Sequence, residues 1–217
     1  MGWWVADLLR DNPAHLISHV VWVIAAICLH ELAHGWAAIY FGDRTPIETG
    51  HMTWNPLVHM GPMSLIMFAV VGIAWGLMPI NPNRMRGKHA EAIVALAGPA
   101  MNLLLAAMCI PAAALWTKYA TGVSDNLYDN FQLFFYLGAV LNIGLATFNL
   151  LPIPPLDGSR ILAKLSPAYA NLINDPRAMS FSLVVFLVVF LWAGRYIWLP
   201  GIFVTGIAVH ALVSILP

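Results

Sequence analysis

The sequence predicts an all-α polytopic membrane protein with about five to six transmembrane segments. Of its 217 residues, 60% are hydrophobic and only 9% are charged, whereas soluble domains carry about 25% charged residues. Apolar runs near the length that spans a bilayer, about 20 residues, recur along the chain. The ten basic and ten acidic residues balance, so the composition indicates a lipid environment and no nucleic-acid partner.

Six apolar segments follow one another along the chain. They cover residues 16–41, 61–80, 90–116, 129–151, 178–193 and 197–216. The second is shorter and is interrupted by Gly72, Gly76 and Pro79, all of which weaken a helix. The polar connections between segments are too short to form a separate soluble domain. We therefore expect residues 1–217 to form one integral membrane domain.

The first apolar segment contains the pattern His30-Glu31-Leu32-Ala33-His34. On a helix, residues four apart lie on the same face, so both imidazoles can bind one metal ion while Glu31 reaches its water. Ionisable groups inside a bilayer are costly and usually mark a functional site. The pattern predicts a zinc site within a membrane-spanning helix.

A hydrolytic zinc site needs three protein ligands, so two histidines leave it one ligand short. Asp157 is the best candidate, because it follows the fourth apolar segment after a proline-rich turn at residues 152–155. Such a turn ends a helix and lets the carboxylate point back into the bundle. The alternative is that Asp157 serves only as the N-cap of a helix that starts at Gly158.

Three motifs in this order resemble the site-2 protease family of intramembrane zinc metalloproteases, peptidase family M50. They are HELAH at 30–34, AGPAMN at 97–102 and NLLPIPPLDG at 149–158. The resemblance is to the compact bacterial and archaeal form, without a PDZ or CBS domain. It covers residues 16–165, which we expect to form the catalytic core, and leaves residues 178–216 as a C-terminal transmembrane hairpin.

The resemblance implies that one Zn²⁺ per chain is bound by His30, His34 and Asp157. It also implies that Glu31 is the catalytic acid and base. The reaction would be hydrolysis of a peptide bond in or near a transmembrane helix of a membrane-protein substrate, as in regulated intramembrane proteolysis. Two alternatives are a catalytically silent protein that binds membrane helices and a metal transporter, but neither needs a glutamate between the two histidines.

Three further residues are candidates for contacts with the substrate. The resemblance implies roles for Asn102 and Asn149 near the substrate or the developing oxyanion. Asn102 lies in an apolar helix, where a hydrogen bond that joins two helices is the alternative. His59 lies in a polar loop, where contact with substrate and simple solvation are equally good interpretations.

The zinc ligands also constrain the topology. His34 lies near the end of its helix and Asp157 lies just after the fourth segment, so both helices should finish at one membrane face. The segment at 61–80 must then start and end at that face, which predicts a re-entrant hairpin; a plain spanning helix is the alternative. Residues 44–60 look strand-like, and an unwound substrate could pair with them as an added strand.

Basic residues predict which face is cytoplasmic. With a hairpin at 61–80, the loops on the zinc side contain most of the cations, and the positive-inside rule makes that side cytoplasmic. The cations on that side are Arg44, Arg84, Arg86, Lys88, Arg160, Lys164 and Arg177, against Arg10, Lys118 and Arg195 on the other. We expect a multi-pass protein of a prokaryotic cell membrane, regulated by a membrane partner or by formation of a homo-oligomer.

Overall fold

The computed structural model describes residues 3–217, and the elements found there are helical, as predicted. In chain order they are α1 (Trp4–Asp11), α2 (Pro13–Tyr40), α3 (Thr45–Glu48), α4 (Pro56–Val71), a 3₁₀ turn (Pro82–Arg84), α5 (Ala90–Tyr119), α6 (Asp125–Asn149), α7 (Asp157–Leu165), α8 (Pro167–Asn174), α9 (Pro176–Val188), a π-helical turn (Val189–Ala193) and α10 (Gly194–Ile215).

Four helices in the described range are long and apolar enough to cross a membrane: α2, α5, α6 and residues Tyr196–Ile215 of α10. A fifth candidate is the pair Pro167–Asn174 and Pro176–Trp192, which is bent by 91°. The four to five candidate spanning helices agree only with the lower end of the predicted five to six transmembrane segments. The difference arises because the apolar run at 61–80 does not form a spanning helix.

The core of the bundle is formed by α2, α5 and α6, and α10 packs against the last two. Small residues permit this packing. Gly138 of α6 lies against the indole of Trp22, and Gly201 of α10 lies against the main-chain carbonyl of Val140, so that a Cβ at either glycine would overlap its neighbour. Close backbone approach at small residues is how helices associate where lipid supplies no hydrophobic driving force.

The chain folds back on itself between α4 and α5. Helix α4 ends at Gly72, which has a left-handed φ of 77°, and residues 73–80, hereafter the return segment, run back beside it without helical structure. The N–H of Leu77 donates to the carbonyl of His59 at 2.8 Å. The Ser64 hydroxyl donates to the carbonyl of Trp75 at 2.8 Å and accepts from its N–H at 2.9 Å. This is the fold-back that the predicted re-entrant hairpin requires.

The tip of this hairpin is held against the N-terminal residues of the described chain. The indole N–H of Trp3 donates to the carbonyl of Ala69 at 2.8 Å, and the indole of Trp4 lies beside Gly72 and Phe68. Helix α4 has 16 residues and is kinked at Gly61, where φ is 69° and ψ is 164°, so its length is at most about 24 Å, less than the hydrocarbon thickness of about 30 Å. The hairpin thus packs beside α1 and α2 and returns.

The prediction of a strand-like loop at 44–60 is wrong, because helical starts interrupt this range. Pro46 lies in the first turn of α3. Pro56 begins α4, and the side chain of Asn55 accepts a hydrogen bond from the N–H of Leu57 at 3.0 Å. Proline in a first turn and asparagine at the N-cap both favour a helix start. In the return segment, by contrast, Trp75 and Leu77, two residues apart, both bond to α4, the alternation that an extended chain produces.

Single-cysteine labelling tests the hairpin. The native Cys28 and Cys109 are buried and should remain unlabelled, whereas Trp54, Asn83 and Ser124 are exposed. We expect cysteines at 54 and 83 to react with a membrane-impermeant reagent from the same side of the membrane, and a cysteine at 124 from the other side. Labelling of 54 and 83 from opposite sides would show that the 61–80 segment crosses the membrane.

Candidate active site

Three side chains from two distant parts of the chain converge on one point in the bundle. The Nε2 atoms of His30 and His34 are 3.0 Å apart, and Oδ2 of Asp157 lies 3.1 Å from the first and 3.2 Å from the second. All three residues are at least nine-tenths buried. The structure therefore brings together the three residues predicted to bind the metal.

The second nitrogen of each imidazole shows that these converging atoms are acceptors. Nδ1 of His34 lies 2.7 Å from the main-chain carbonyl of Val94, and a carbonyl can only accept, so Nδ1 carries the hydrogen. Nδ1 of His30 lies 2.6 Å from Oδ1 of Asn102. In the neutral imidazole that binds a metal, a hydrogen on Nδ1 leaves a lone pair on Nε2, which here is directed toward the carboxylate of Asp157.

A chain of amides fixes the orientation of Asn102. The carbonyl of Gly138 accepts from Nδ2 of Asn142 at 2.9 Å, which leaves Oδ1 of Asn142 to accept from Nδ2 of Asn102 at 2.9 Å. The oxygen of Asn102 must then face His30. Asn142 was missed by the sequence analysis; the signal available was its polarity within an apolar helix, and both asparagines are fully buried.

This donor set fits a zinc ion. Three acceptor atoms that face one another repel each other unless a cation lies between them. Ligand atoms in a tetrahedral site with zinc bonds of about 2.0–2.1 Å are separated by about 3.3 Å, close to the 3.0–3.2 Å found here. Two neutral imidazoles and one carboxylate also leave the fourth position open for water, as in catalytic zinc sites.

Gly98 provides the space beside the ligand atoms. It belongs to the AGPAMN motif on α5, and a Cβ built at this position would collide with Nε2 of both His30 and His34. The space that a side chain at residue 98 would fill is therefore the space beside Nε2 of the two histidines. Sequence analysis included Gly98 in a motif but assigned it no role, because a glycine in an apolar helix is usually explained by helix packing.

Asp157 is the first residue of α7, and Leu156 occupies the N-cap position without a side-chain hydrogen bond. The carboxylate of Asp157 contacts the two histidines, so the alternative in which it serves only as a helix cap does not describe this structure. Close packing holds the turn in place: a Cβ at Gly158 would collide with the main-chain carbonyl of Leu150.

Glu31 lies beside the metal-binding group, under the return segment. Its side chain is 9% exposed. A Cβ at Gly76 would lie 2.5 Å from Oε1 of Glu31 and 2.8 Å from Ile27, so the backbone of the return segment passes directly over this carboxylate. A side chain on residue 76 would overlap the carboxylate of Glu31 and would block any molecule that approaches this carboxylate.

The three candidates for substrate contact lie outside the metal-binding group. The two amide hydrogens of Asn102 are directed at Asn142 and, at 3.4 Å, at the carbonyl of Ala26, so they are not free for an oxyanion. Asn149 donates to the carbonyl of Leu145 at 3.0 Å on its own helix; its role stays a prediction. His59 is buried and donates from Nε2 to the carbonyl of Thr53 at 2.6 Å.

Comparison with known proteins agrees with this geometry. The family model described as Peptidase family M50 matches residues 118–193, which include Asp157 but not the histidines. The chain is 36% identical over 199 residues to YwhC of Bacillus subtilis, a match that covers 89% of this chain and 90% of the relative. The name of that protein assigns it provisionally to the zinc metalloproteases. The chain belongs to peptidase family M50.

Other relatives of this M50 chain have names of the same kind. Rip2 of Mycolicibacterium smegmatis is 29% identical over 87% of this chain and 74% of its own length, and MJ0611 of Methanocaldococcus jannaschii is 26% identical over 67% and 72%. No solved structure is significantly similar to the chain. The predictions of a metalloendopeptidase family and of zinc as its metal are confirmed.

Replacement of Gly98 by alanine should weaken zinc binding, because the new methyl group would occupy space at the ligand nitrogens. Overpacking at a site without room costs about 1–3 kcal/mol, so we expect the affinity for zinc to fall about tenfold or more. Competition with a calibrated chelator measures this in the purified M50 protein. Gly206→Ala is the matched control, since its Cβ has no neighbour closer than the Tyr136 hydroxyl at 3.6 Å. Equal affinities in the two variants would contradict the placement.

Proposed function

We propose that this M50 protein is a zinc-dependent intramembrane endopeptidase, which hydrolyses a peptide bond in or near a transmembrane helix of a membrane-protein substrate. The observation that carries this proposal is the buried convergence of His30, His34 and Asp157 beside Glu31. All of these residues except Asp157 lie in α2, a helix long and apolar enough to cross a membrane. Hydrolysis at this site would act on a substrate that also lies in the membrane.

The residues of this chain have separate tasks in the proposed reaction. His30, His34 and Asp157 would hold the zinc ion, which when bound would supply Lewis acidity to the attacking water and to the carbonyl under attack. A carboxylate oxygen of Glu31 accepts the proton of the attacking water and later gives it to the leaving amine. Asn102 and Val94 hold the imidazoles in the tautomer that directs Nε2 toward the metal.

The return segment offers a place for the substrate backbone. In an extended chain, neighbouring residues direct their main-chain groups to opposite edges. Trp75 and Leu77 bond to α4 at one edge, so Ala74, Gly76 and Met78 face the other edge. Among residues 3–217, no backbone hydrogen bond involves these three residues. An unwound substrate could pair with this edge as an added strand.

Such pairing meets two needs of the reaction. A peptide bond within a helix is shielded by the helical hydrogen bonds, so the substrate must unwind before attack. Unwinding inside a membrane exposes amide groups that are costly without partners. The free edge of the return segment supplies partners beside Glu31, which replaces the earlier expectation that residues 44–60 would do so.

Convergence of the ligands favours hydrolysis over the two alternatives. A transport pathway needs successive sites, whereas in the described range three potential metal ligands cluster at a single point, formed by His30, His34 and Asp157. A silent helix-binding protein has no need for a carboxylate between the histidines. We further propose that the zinc side faces the cytoplasm, as the excess of cations in its loops indicates, and that the reaction belongs to regulated proteolysis of a membrane protein.

Replacement of Glu31 by glutamine should abolish cleavage but leave the metal in place, because the amide cannot accept the proton and Glu31 is not a ligand. We expect the cleavage rate to fall by at least about 100-fold, the usual contribution of a general base. The assay uses purified protein in liposomes with a panel of single-helix substrates, and metal analysis runs alongside. Cleavage by the variant at the wild-type rate would contradict the proposal. Flux of zinc into the liposomes would support a transporter instead.

Replacement of Ala74 by proline should impair binding of a helical substrate, because proline removes an N–H from the free edge. We expect KM to rise for a transmembrane substrate, with zinc content unchanged. Ala74→Val is the matched control, since valine keeps the N–H and suits extended backbone. An unchanged KM in the proline variant would show that the substrate does not pair at this edge.

A further inference from the structure

We propose that Asp43 is a positioning residue that holds the return segment in register over Glu31, and so places the edge to which the substrate binds. This inference rests on the proposed function. Asp43 lies just beyond the end of α2 and is fully buried. Burial of a carboxylate costs free energy unless several hydrogen-bond donors compensate it. The donors that bind Asp43 therefore indicate which parts of the chain it positions.

Each oxygen of Asp43 binds a different part of the chain. Oδ1 accepts from the N–H and the hydroxyl of Thr45, at 3.0 Å and 2.5 Å. Oδ2 accepts from the N–H of Asn81 at 2.6 Å. The first oxygen starts α3, and the second fixes the residue that follows the return segment. One side chain thus joins the end of α2 to the end of the return segment, 38 positions further along the chain.

The ionised form of Asp43 is the one that this arrangement favours. Burial raises the pKa of Asp43, but the hydrogen bonds from Thr45 and Asn81, together with the charge of Arg84, outweigh burial and hold the pKa below its usual value. Hydrogen bonds to an ionised acceptor are shorter and about twice as strong as neutral ones. The carboxylate therefore remains charged at neutral pH and accepts from both segments.

The hydrogen bond from Asn81 to Asp43 fixes the register of the return segment against α2 and α4. A shift of one residue in an extended chain exchanges its two faces and its two edges. In the observed register, Gly76 rather than a bulkier residue lies over Glu31. The Ser64 hydroxyl forms hydrogen bonds with both the N–H and the carbonyl of Trp75. The same register directs Met78 toward Gly35 of α2. A slip by one position would place a side chain against Glu31 and turn the free edge toward α4.

The end of α2 provides a fixed base for this tie. The N–H of Asp43 donates to the carbonyl of Ala38 at 2.9 Å, and the carbonyl of Phe41 accepts from the N–H of Arg86 at 2.8 Å. Because α2 carries His30, Glu31 and His34, the anchor and the reacting groups belong to one helix. Asp43 thus acts through the return segment and does not touch the metal-binding group.

A nearby ion pair joins α3 to the 3₁₀ turn at the surface. Glu48 of α3 pairs with Arg84 of the 3₁₀ turn at 2.5 Å, but both side chains are about half exposed. Exposed ion pairs are screened by water and contribute little to stability, so this pair should matter little to the register. Glu48→Gln makes the same chemical change as Asp43→Asn, from carboxylate to amide, in the same region of the structure, and is therefore the matched control.

The test is Asp43→Asn in the full-length protein in liposomes. Asparagine keeps the shape but has one acceptor oxygen, so its NH₂ group must face a donor at either Thr45 or Asn81. We expect KM for a single-helix substrate to rise about tenfold, which corresponds to about 1.4 kcal/mol, while kcat and zinc content change little. Amide exchange should accelerate in residues 73–81 and stay unchanged in α5. Glu48→Gln should match wild type in all four measurements.

Other results would overturn the inference. It fails if Asp43→Asn leaves KM and the exchange of residues 73–81 unchanged, or if it lowers kcat at constant KM. Should this variant not fold, Thr45→Val removes one of the three hydrogen bonds, and it must shift KM and exchange in the same direction by a smaller amount. If wild-type protein cleaves no helical substrate, the proposed function fails, and amide exchange alone still decides whether Asp43 anchors the return segment.

Discussion

Three acceptor atoms that face one another inside a helical bundle are the constraint on which the rest of the structure depends. His30, His34 and Asp157 place them 3.0–3.2 Å apart, an arrangement that is unfavourable without a cation. The bundle accommodates it by satisfying the other nitrogen of each ligand imidazole: each Nδ1 has an acceptor. The three facing acceptor atoms are then left without a donor among themselves, and a divalent cation between them would replace their mutual repulsion by attraction.

The hairpin between α4 and α5 depends on that point as well. The proposed hydrolysis beside Glu31 requires exposed backbone, and exposed backbone is tolerated at membrane depth only where protein or water covers it. The return segment satisfies this condition on one edge through Ser64 and His59. Gly76 allows it to lie close to the carboxylate of Glu31. A helix and a non-helical segment joined at Gly72 are thus bonded to each other, and one edge of the non-helical segment is left without backbone hydrogen bonds in the described residues.

Sequence reasoning succeeded where chemistry restricts residue type and failed where packing decides. The spacing of His30 and His34 has few explanations other than a metal, and the proline-rich turn explains how Asp157 reaches them. Asn142 went unnoticed, because an asparagine in an apolar helix has many uses until its neighbours are known. The strand-like prediction for residues 44–60 fails because Pro46, Asn55 and Pro56 favour helix starts there, and the glycines at 61–80 predict a fold-back without showing which residues bond to α4.

Two main-chain carbonyls, those of Gly138 and Val94, determine which nitrogen of each histidine carries its hydrogen. They belong to α6 and α5, whereas the histidines belong to α2, so the ligands acquire the correct tautomers only when the three helices are assembled in register. Zinc then binds the assembled bundle far better than separated helices, and by thermodynamic linkage it stabilises that assembly. Metal occupancy and helix association are coupled equilibria in this protein, and loss of zinc should loosen the same helix contacts that create its site.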